Sequence, residues 1–461
     1  MGGDRIADRD IGIVGMARSG LAAARLATRH GGRPFVSDGG DPSVLTPATA
    51  VLRELGVPHE VGRHSERLYA CDYLVVSPGV PPDAPVLVRA RHSGLRIYAE
   101  LEFASWVCRS PIVAVTGSNG KTTTTALIAA LLAQAGRSAR ACGNIGLPLS
   151  AVVDELPADA VAVVEASSFQ LAAIDTFRPH VAAILNLAHD HLDWHGSLEA
   201  YRRAKHRVAE NQTVDDWLIV NADDPLTQAA DVRTRARCVA FSLERHEGVA
   251  AFVRDGWLWL AVDGRPERLV PGEELLLPGR HNLANAAAAA LAASLCHAPP
   301  AAVAAGLRAF RGVEHRLELV ARIGGIAFVN DSKATNVDAA CVALAAIEGP
   351  IHLILGGRDK GAPYAPIARA ARGRVRSVLV IGEAAPVIAS ALGDQLPVTR
   401  ADSLEDAVRR AHQAARPGDT VLLSPACSSF DAYTDFEARG QAFKAAVAAL
   451  QRAATLPARQ A

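Results

Sequence analysis

Residues 112–136 read IVAVTGSNGKTTTTALIAALLAQAG. The first four, Ile112, Val113, Ala114 and Val115, are apolar and mostly β-branched, as a strand buried in a parallel sheet requires. Next comes Thr116-Gly117-Ser118-Asn119-Gly120-Lys121-Thr122-Thr123. From 124 to 135 alanine and leucine dominate, which favours a helix, and Gly136 is placed to end it. A strand, a glycine loop and a helix in this order aim backbone N–H groups at an anion on the helix N-terminus. Lys121 adds a mobile positive charge, and the hydroxyl of Thr122 or Thr123 suits a magnesium ion. Val115 stands where the full phosphate-loop pattern has its first glycine. The strand–helix context therefore decides for phosphate binding over a structural turn.

The rest of the composition narrows the class. At roughly 150 residues per domain, 461 residues suggest about three domains. Basic and acidic residues balance at 48 each, which argues against a nucleic-acid binder. No apolar run reaches the roughly 18–20 residues needed to cross a membrane. The longest, 283–296, is alanine-rich and short and reads as a buried helix. The N-terminus, MGGDRIADRD, is polar and shows no secretion signal. Seven scattered cysteines, an odd count without paired spacing, fit a reducing cytoplasm and no metal cluster.

Upstream of the central stretch, 11–14 reads as a strand, 15–20 as a glycine turn, 21–29 as a helix and 34–38 as a second strand ending in Asp38. This is a Rossmann-like βαβ opening. Its glycines miss the G-x-G-x-x-G spacing, which favours a nucleotide-diphosphate site over a nicotinamide one. A further strand ends at Ser77-Pro78-Gly79, where such sheets bind ligands; a plain turn stays open. A helix over 100–108 and a linker at Arg109-Ser110-Pro111 lead into the central region.

Downstream, Asn144 lies in a glycine-flanked turn. The apolar run 161–164 delivers Glu165, a carboxylate where magnesium on a loop-bound nucleotide needs one; a helix cap is the competing role. The strand 181–186 leads to His189-Asp190-His191-Leu192-Asp193. Lys205 follows on a helix, where a surface lysine is the ordinary expectation. Asn282 and Asn285, one turn apart at the start of the alanine-rich helix, can face one ligand or merely cap. Beyond Gly312-Val313, apolar runs at 326–329, 351–355, 378–381 and 420–423 end in small or charged residues. They indicate a second open parallel sheet and a second ligand surface.

Together these stretches resemble the Mur ligases, the ATP-dependent amino-acid ligases of peptidoglycan synthesis, over essentially the whole chain. The motifs at 116–123 and 279–286, Glu165 with 167–170, and 190–193 with 201–205 match the family at large. Asn-Asp-Ser-Lys-Ala-Thr-Asn at 330–336, with 355–360 and 424–431, is similar to the branch that adds D-glutamate to UDP-N-acetylmuramoyl-L-alanine. The resemblance implies an α/β fold of three domains. A Rossmann-like domain at 1–108 would hold the UDP group, a central P-loop ATPase-type domain with a parallel sheet at 109–313 would hold ATP, and a C-terminal Rossmann-like domain at 314–461 would hold the amino acid. It assigns Arg18, Ser19, Ser77, Pro78 and Gly79 to the UDP group and Asn144 and His191 to substrate or metal. Gly117, Ser118, Asn119, Gly120, Lys121, Thr122, Thr123, Asn282, Asn285 and Arg316 go to the nucleotide. Thr122, Glu165, His191 and Lys205 would serve two magnesium ions, with Lys205 carbamylated. Lys333, Thr335, Lys360, Ser429 and Phe436 would line the glutamate pocket. Relatives often place an arginine after the acid ending the second strand; here Asp38 is followed by Gly39-Gly40.

The implied catalytic residues are Lys121, Glu165, His191 and Lys205. ATP would phosphorylate the alanine carboxylate, and the amine of glutamate would attack the acyl phosphate while the domains close. A cytoplasmic monomer is expected. The alternatives are an L-glutamate-adding relative, a folate polyglutamate ligase, which lacks a separate UDP-type domain, and a non-enzymatic nucleotide-binding regulator, which has no need of the 330–336 run.

Overall fold

The computed structural model describes residues 5–188, 192–228, 231–245, 247–262, 264–277, 279–359 and 361–455. They form three sheets. The first contains β1 (Asp10–Val14), β2 (Arg33–Asp38), β3 (His59–Val61), β4 (Tyr73–Val76) and β5 (Arg96–Ala99), all parallel in the order β3-β2-β1-β4-β5. The order reverses between β1 and β4, so the turns after these strands lie side by side.

The second sheet has nine strands: β6 (Ile112–Thr116), β7 (Ala139–Gly143), β8 (Val161–Glu165), β9 (Val181–Ile184), β10 (Trp217–Asn221), β11 (Arg237–Ser242), β12 (Ala251–Arg254), β13 (Trp257–Leu260) and β14 (Glu267–Pro271). Their order is β14-β13-β12-β11-β10-β9-β6-β8-β7. Strands from β7 to β12 run parallel, and β13 and β14 add an antiparallel edge absent from the sequence reading. β6 is buried throughout. Ile112 and Ala114 face one core while Val113 and Val115 face another, the alternation a pleated strand imposes.

The helix Lys121–Gln134 lies on the second of these faces with the helices Arg280–Leu295 and Pro300–Ala309. Alanines along Arg280–Leu295 are buried on all sides, as an apolar helix without a polar face must be. Gly136 does end the phosphate-loop helix. It takes φ +76°, Gly136 N–H donates to Ala133 O, and Arg137 N–H donates to Leu132 O.

The third sheet contains β15 (Glu318–Ile323), β16 (Ile326–Asn330), β17 (Ile351–Gly356), β18 (Val375–Ile381), β19 (Val398–Arg400) and β20 (Thr420–Leu423), ordered β15-β16-β20-β17-β18-β19. Only β15 is antiparallel to its neighbour. The chain divides into two compact units, Met1–Phe310 and Arg311–Ala461. Within the first unit the two sheets share a core: Ile11 and Ile13 of β1 belong to the same cluster as Ile112 and Ala162. Ser110, in the expected linker, is buried and donates to Pro157 O at 2.8 Å. Among the described residues no helix is long and apolar enough to cross a membrane.

Leu131, on the phosphate-loop helix, is wholly buried against the Pro300–Ala309 helix at Gly306. Leu131→Ala should lower stability by about 2–5 kcal/mol, read as a lower urea midpoint; an unchanged midpoint would contradict this packing. In the second unit Asp331 is buried, accepting from Ser424 Oγ at 2.8 Å and from Leu317 N–H at 3.2 Å. Burial pushes its carboxyl up to about 7. The folded chain therefore keeps a proton that the unfolded chain, with a carboxyl near ~3.9, gives up first. That contribution is present below the unfolded value and is lost as pH rises through the folded one. The Tm of Asp331→Asn relative to the parent should rise between about pH 4 and about pH 7 and then level. A pH-independent difference would reject the raised value.

Candidate functional site

The carboxyl ends of β6, β7, β8 and β9 lie on one edge of the central sheet, and Lys121, Thr122, Asn144, Glu165 and Lys205 gather there. The loop after β6 is shaped by two glycines with positive φ, Gly117 at +154° and Gly120 at +82°. A Cβ on Gly120 would collide with the Asn285 carboxamide, so the Arg280–Leu295 helix approaches the loop only because that position is glycine. Asn285 is buried and donates to Asn282 Oδ1 at 3.4 Å. Asn282 is thereby tied to Asn285, whose carboxamide stands against the loop.

Thr122 is the second residue of the helix, and its Oγ1 donates to Glu165 Oε2 at 2.7 Å. The other carboxylate oxygen accepts from Asn144 Nδ2 at 2.9 Å. Both Thr122 and Glu165 are buried. Glu165 does not cap a helix; Ser167 does that, in a reciprocal capping box with Gln170. Lys121 Nζ donates to Gly117 O at 2.8 Å and Ser118 O at 2.9 Å, so the cation lies over the loop. Lys205, on the helix Leu198–His206, is 1% exposed. Its Nζ donates to Gly117 O at 2.9 Å and stands 4.7 Å from the centre of the Tyr201 ring, which excludes a surface lysine.

Two residues that secure the loop were not singled out as site residues by sequence. Asn186 accepts from Asn119 N–H at 2.8 Å through Oδ1 and from Ser118 N–H at 2.9 Å through its main-chain carbonyl. The Tyr201 hydroxyl pairs with Ser118 Oγ at 2.9 Å. Asn186 carried one signal, its place just past an apolar strand. Tyr201 stood four residues before Lys205, one helical turn away. His191 and Lys360 lie outside the described residues. Thr123 follows Thr122 in the first helical turn.

The oxygen-only pair of Thr122 and Glu165, anchored at a helix N-terminus, matches the hard ligands magnesium takes. No group of three or more His, Cys, Asp or Glu able to hold a metal is found among the described residues.

At the first sheet, Ser77 lies after β4 and Gly15 after β1. The buried Ser77 Oγ has no hydrogen-bond partner among the described residues, and a Cβ on Gly15 would lie 2.8 Å from it. The hydroxyl therefore faces the glycine turn that leads into the helix Arg18–Arg29, whose N-terminus has no side-chain cap. Arg18 is exposed, Ser19 half-buried, and Pro78 and Gly79 follow at the same rim. Asp38 Oδ2 accepts from Met16 N–H and Oδ1 from Gly40 N–H, both at 2.8 Å. The acid thus holds both turns in place, and Gly39-Gly40 form the second of them.

In the second unit Lys333 follows β16, Ser429 follows β20 and Phe436 opens the helix Phe436–Thr455. Ser332 Oγ donates to Phe436 O at 2.8 Å, which brings Lys333 and Phe436 to one end of the sheet. Lys333 N–H donates to His315 O and Thr335 N–H to Lys333 O. Ser429 is buried, while Thr335 and Arg316 are half-buried.

Known proteins resemble the chain along its whole length. Residues 10–86 match the MurD N-terminal domain, 115–293 the Mur ligase middle domain, and 315–427 the Mur ligase glutamate ligase domain. The UDP-N-acetylmuramoylalanine--D-glutamate ligase of Acidobacterium capsulatum is 46% identical, covering 96% of each chain. The protein of the same name from Salinibacter ruber is 43% identical over 95% of this chain and 97% of its own. Among solved structures, the UDP-N-acetylmuramate-alanine ligase MurC of Thermotoga maritima shares the fold, with a TM-score of 0.57 at 23% identity over 97% of this chain and 100% of its own. The MurF ligase of Thermotoga maritima gives 0.55 at 16% identity over 97% of each chain. By its three matched domains and its full-length relatives, the chain belongs to the Mur ligase family, the ATP-dependent ligases that form amide bonds in peptidoglycan-precursor synthesis.

Proposed function

We propose that the chain joins D-glutamate to the alanine carboxylate of UDP-N-acetylmuramoyl-L-alanine, converting ATP to ADP and phosphate. The full-length relatives carry the choice of substrates, since those cited bear that activity in their names. The observation that carries the phosphoryl transfer is the buried Thr122–Glu165 pair at the head of the helix that Lys121 opens. Domain boundaries follow the sequence reading: 1–108 for the UDP substrate, 109–313 for ATP and 314–461 for the amino acid. The enzyme acts as a cytoplasmic monomer.

A carboxylate is a poor acyl donor, so its oxygen first takes the γ-phosphoryl group of ATP, with the bond to ADP breaking. The glutamate nitrogen then attacks the acyl carbon, loses a proton, and phosphate leaves with the carbon–oxygen bond it held. The first step gathers anions. Gly120 to Thr123, at the head of the helix, offer main-chain N–H groups and Lys121 a positive charge to hold them. Asn282, Asn285 and Arg316 serve the nucleotide. Two magnesium ions, held by Thr122, Glu165, His191 and Lys205, would supply positive charge against the phosphate oxygens. Lys205 carries a carbamate, formed when its neutral amine adds carbon dioxide and releases a proton. Its burial beside Gly117 supports this, because it sets the amine at the phosphate loop and out of bulk water.

The uncapped helix start at Arg18 and Ser19, with Ser77, Pro78 and Gly79, takes the UDP diphosphate. Asn144 reaches the substrate. For glutamate, Lys333 and Lys360 supply charge, Thr335 and Ser429 hydroxyls, and Phe436 an apolar wall; each charge-assisted bond is worth about 1.5–3 kcal/mol.

Lys121→Ala should lower turnover by roughly 100-fold or more in a folded protein; near-normal turnover would remove the lysine from the mechanism. ADP release should be measured with UDP-N-acetylmuramoyl-L-alanine and each glutamate isomer. Turnover is expected with D-glutamate. Turnover with L-glutamate alone overturns the choice of isomer, and turnover with neither rejects the glutamate pocket.

A further inference from the structure

Arg439 lies in the first turn of the helix Phe436–Thr455, where its charge would suggest a solvent-facing side chain. It is instead 1% exposed. Its Nε donates to Ser332 Oγ at 3.0 Å and its Nη2 to Ser332 O at 3.0 Å. Its Nη1 donates to Cys427 O at 3.1 Å and Gly356 O at 3.4 Å. The acceptors come from three places: the segment after β16, the last residue of β17 and the segment after β20. These strands are neighbours in the sheet, with β20 between the other two. Every acceptor is neutral, and no carboxylate lies within ion-pair distance of the guanidinium among the described residues. Gly357 leaves room for it, since a Cβ there would lie 3.0 Å from Nη1.

A buried cation without an ion pair is costly, and burial depresses the guanidinium to about 10. Stabilisation alone is a weak reason for such a group, because an apolar side chain fills the same space without the desolvation cost. The acceptors show a more specific use. Ser332 immediately precedes Lys333, Cys427 stands two residues before Ser429, and Phe436 lies one turn before Arg439 on the same helix. Three carbonyl oxygens brought together repel one another, and a planar fork of five donors can hold them in one arrangement. The same charge favours anions near the segments it ties.

From this geometry we infer that Arg439 is a positioning residue for a dicarboxylate amino acid: it joins the three strand-end segments of the third sheet into one rim and sets the places of Lys333, Ser429 and Phe436. The inference rests on the glutamate-ligase reading for the identity of the ligand. It adds a residue that touches the rim and not the substrate.

Steady-state kinetics of Arg439→Lys and Arg439→Gln, varying each of the three substrates in turn, test it. Lysine keeps the charge but cannot span three segments, so KM for D-glutamate should rise about 10-fold while KM for ATP and for the UDP substrate stay within about twofold. Glutamine loses the charge as well and should raise it further. Thermal melting identifies any variant that is unfolded. Ser332→Ala, which removes the hydroxyl that accepts from Arg439 and donates to Phe436 O, should shift the same constant in the same direction by a smaller factor, and an unchanged constant there overturns the inference if both arginine variants fail to fold. A folded variant with an unchanged amino-acid KM, or with all three constants rising together, overturns the inference. If the parent chain turns over a different amino acid, the glutamate reading falls, and the same split measured with that amino acid still tests Arg439.

Discussion

The hydrogen bond from Thr122 Oγ1 to Glu165 Oε2, 2.7 Å long and buried, ties the first turn of one helix to the end of a neighbouring strand. It sets where a carboxylate stands relative to a set of backbone N–H groups. A carboxylate beside a helix N-terminus gains from the dipole and from local donors, and here it also accepts from Asn144. This oxygen-rich corner exists because β6 and β8 are adjacent and parallel. In an antiparallel pair the two strands would end on opposite edges, and the threonine and the glutamate would not meet. The site therefore depends on the topology of the sheet before it depends on any side chain.

The same dependence explains the alanines of the Arg280–Leu295 helix. To bring Asn285 against Gly120, the helix has to lie close to the sheet and to the helix Lys121–Gln134. Small side chains allow that approach, and their burial on every side shows how little space remains. Lys205 is buried against the phosphate loop through a different device. Its amine lies over the Tyr201 ring and donates to a loop carbonyl. Tyr201 in turn holds Ser118, so one helix contributes both a buried lysine and a brace for the loop it serves.

What the sequence revealed followed from local chemistry. The strand at 112–115, the glycine loop and the end of its helix at Gly136 were legible because β-branched residues, glycine and alanine each have strong local preferences. The carboxylate at Glu165 was legible because it ended an apolar run. The antiparallel edge of β12 to β14 was not, since its short strands alternate only partly and need their neighbours to form. β15 was missed for the same reason, with its mostly half-buried residues at a sheet edge. Asn186, Tyr201 and Arg439 were hidden differently. A polar side chain on a helix or after a strand reads as solvated, and only long-range packing tells that it is buried and bonded.

The two buried charges at the end of the third sheet show why such residues escape a local reading. Asp331 and Arg439 flank Ser332 through different partners. The aspartate accepts from Ser424 and from the Leu317 main chain, and the arginine donates to Ser332 and to two strand-end carbonyls. They do not form an ion pair with each other. Burial pushes the acid toward its neutral form and lowers the arginine's affinity for its proton. A direct pair would relieve both penalties. Their separate bonding instead uses each group to fix a different segment of backbone: the acid holds the turn through Leu317 to the end of β20, and the base holds β16, β17 and β20 together. An apolar replacement of either could fill its volume, but it would leave main-chain donors or acceptors without the partners they have now, and in a buried setting that deficit is what keeps the segments in one arrangement.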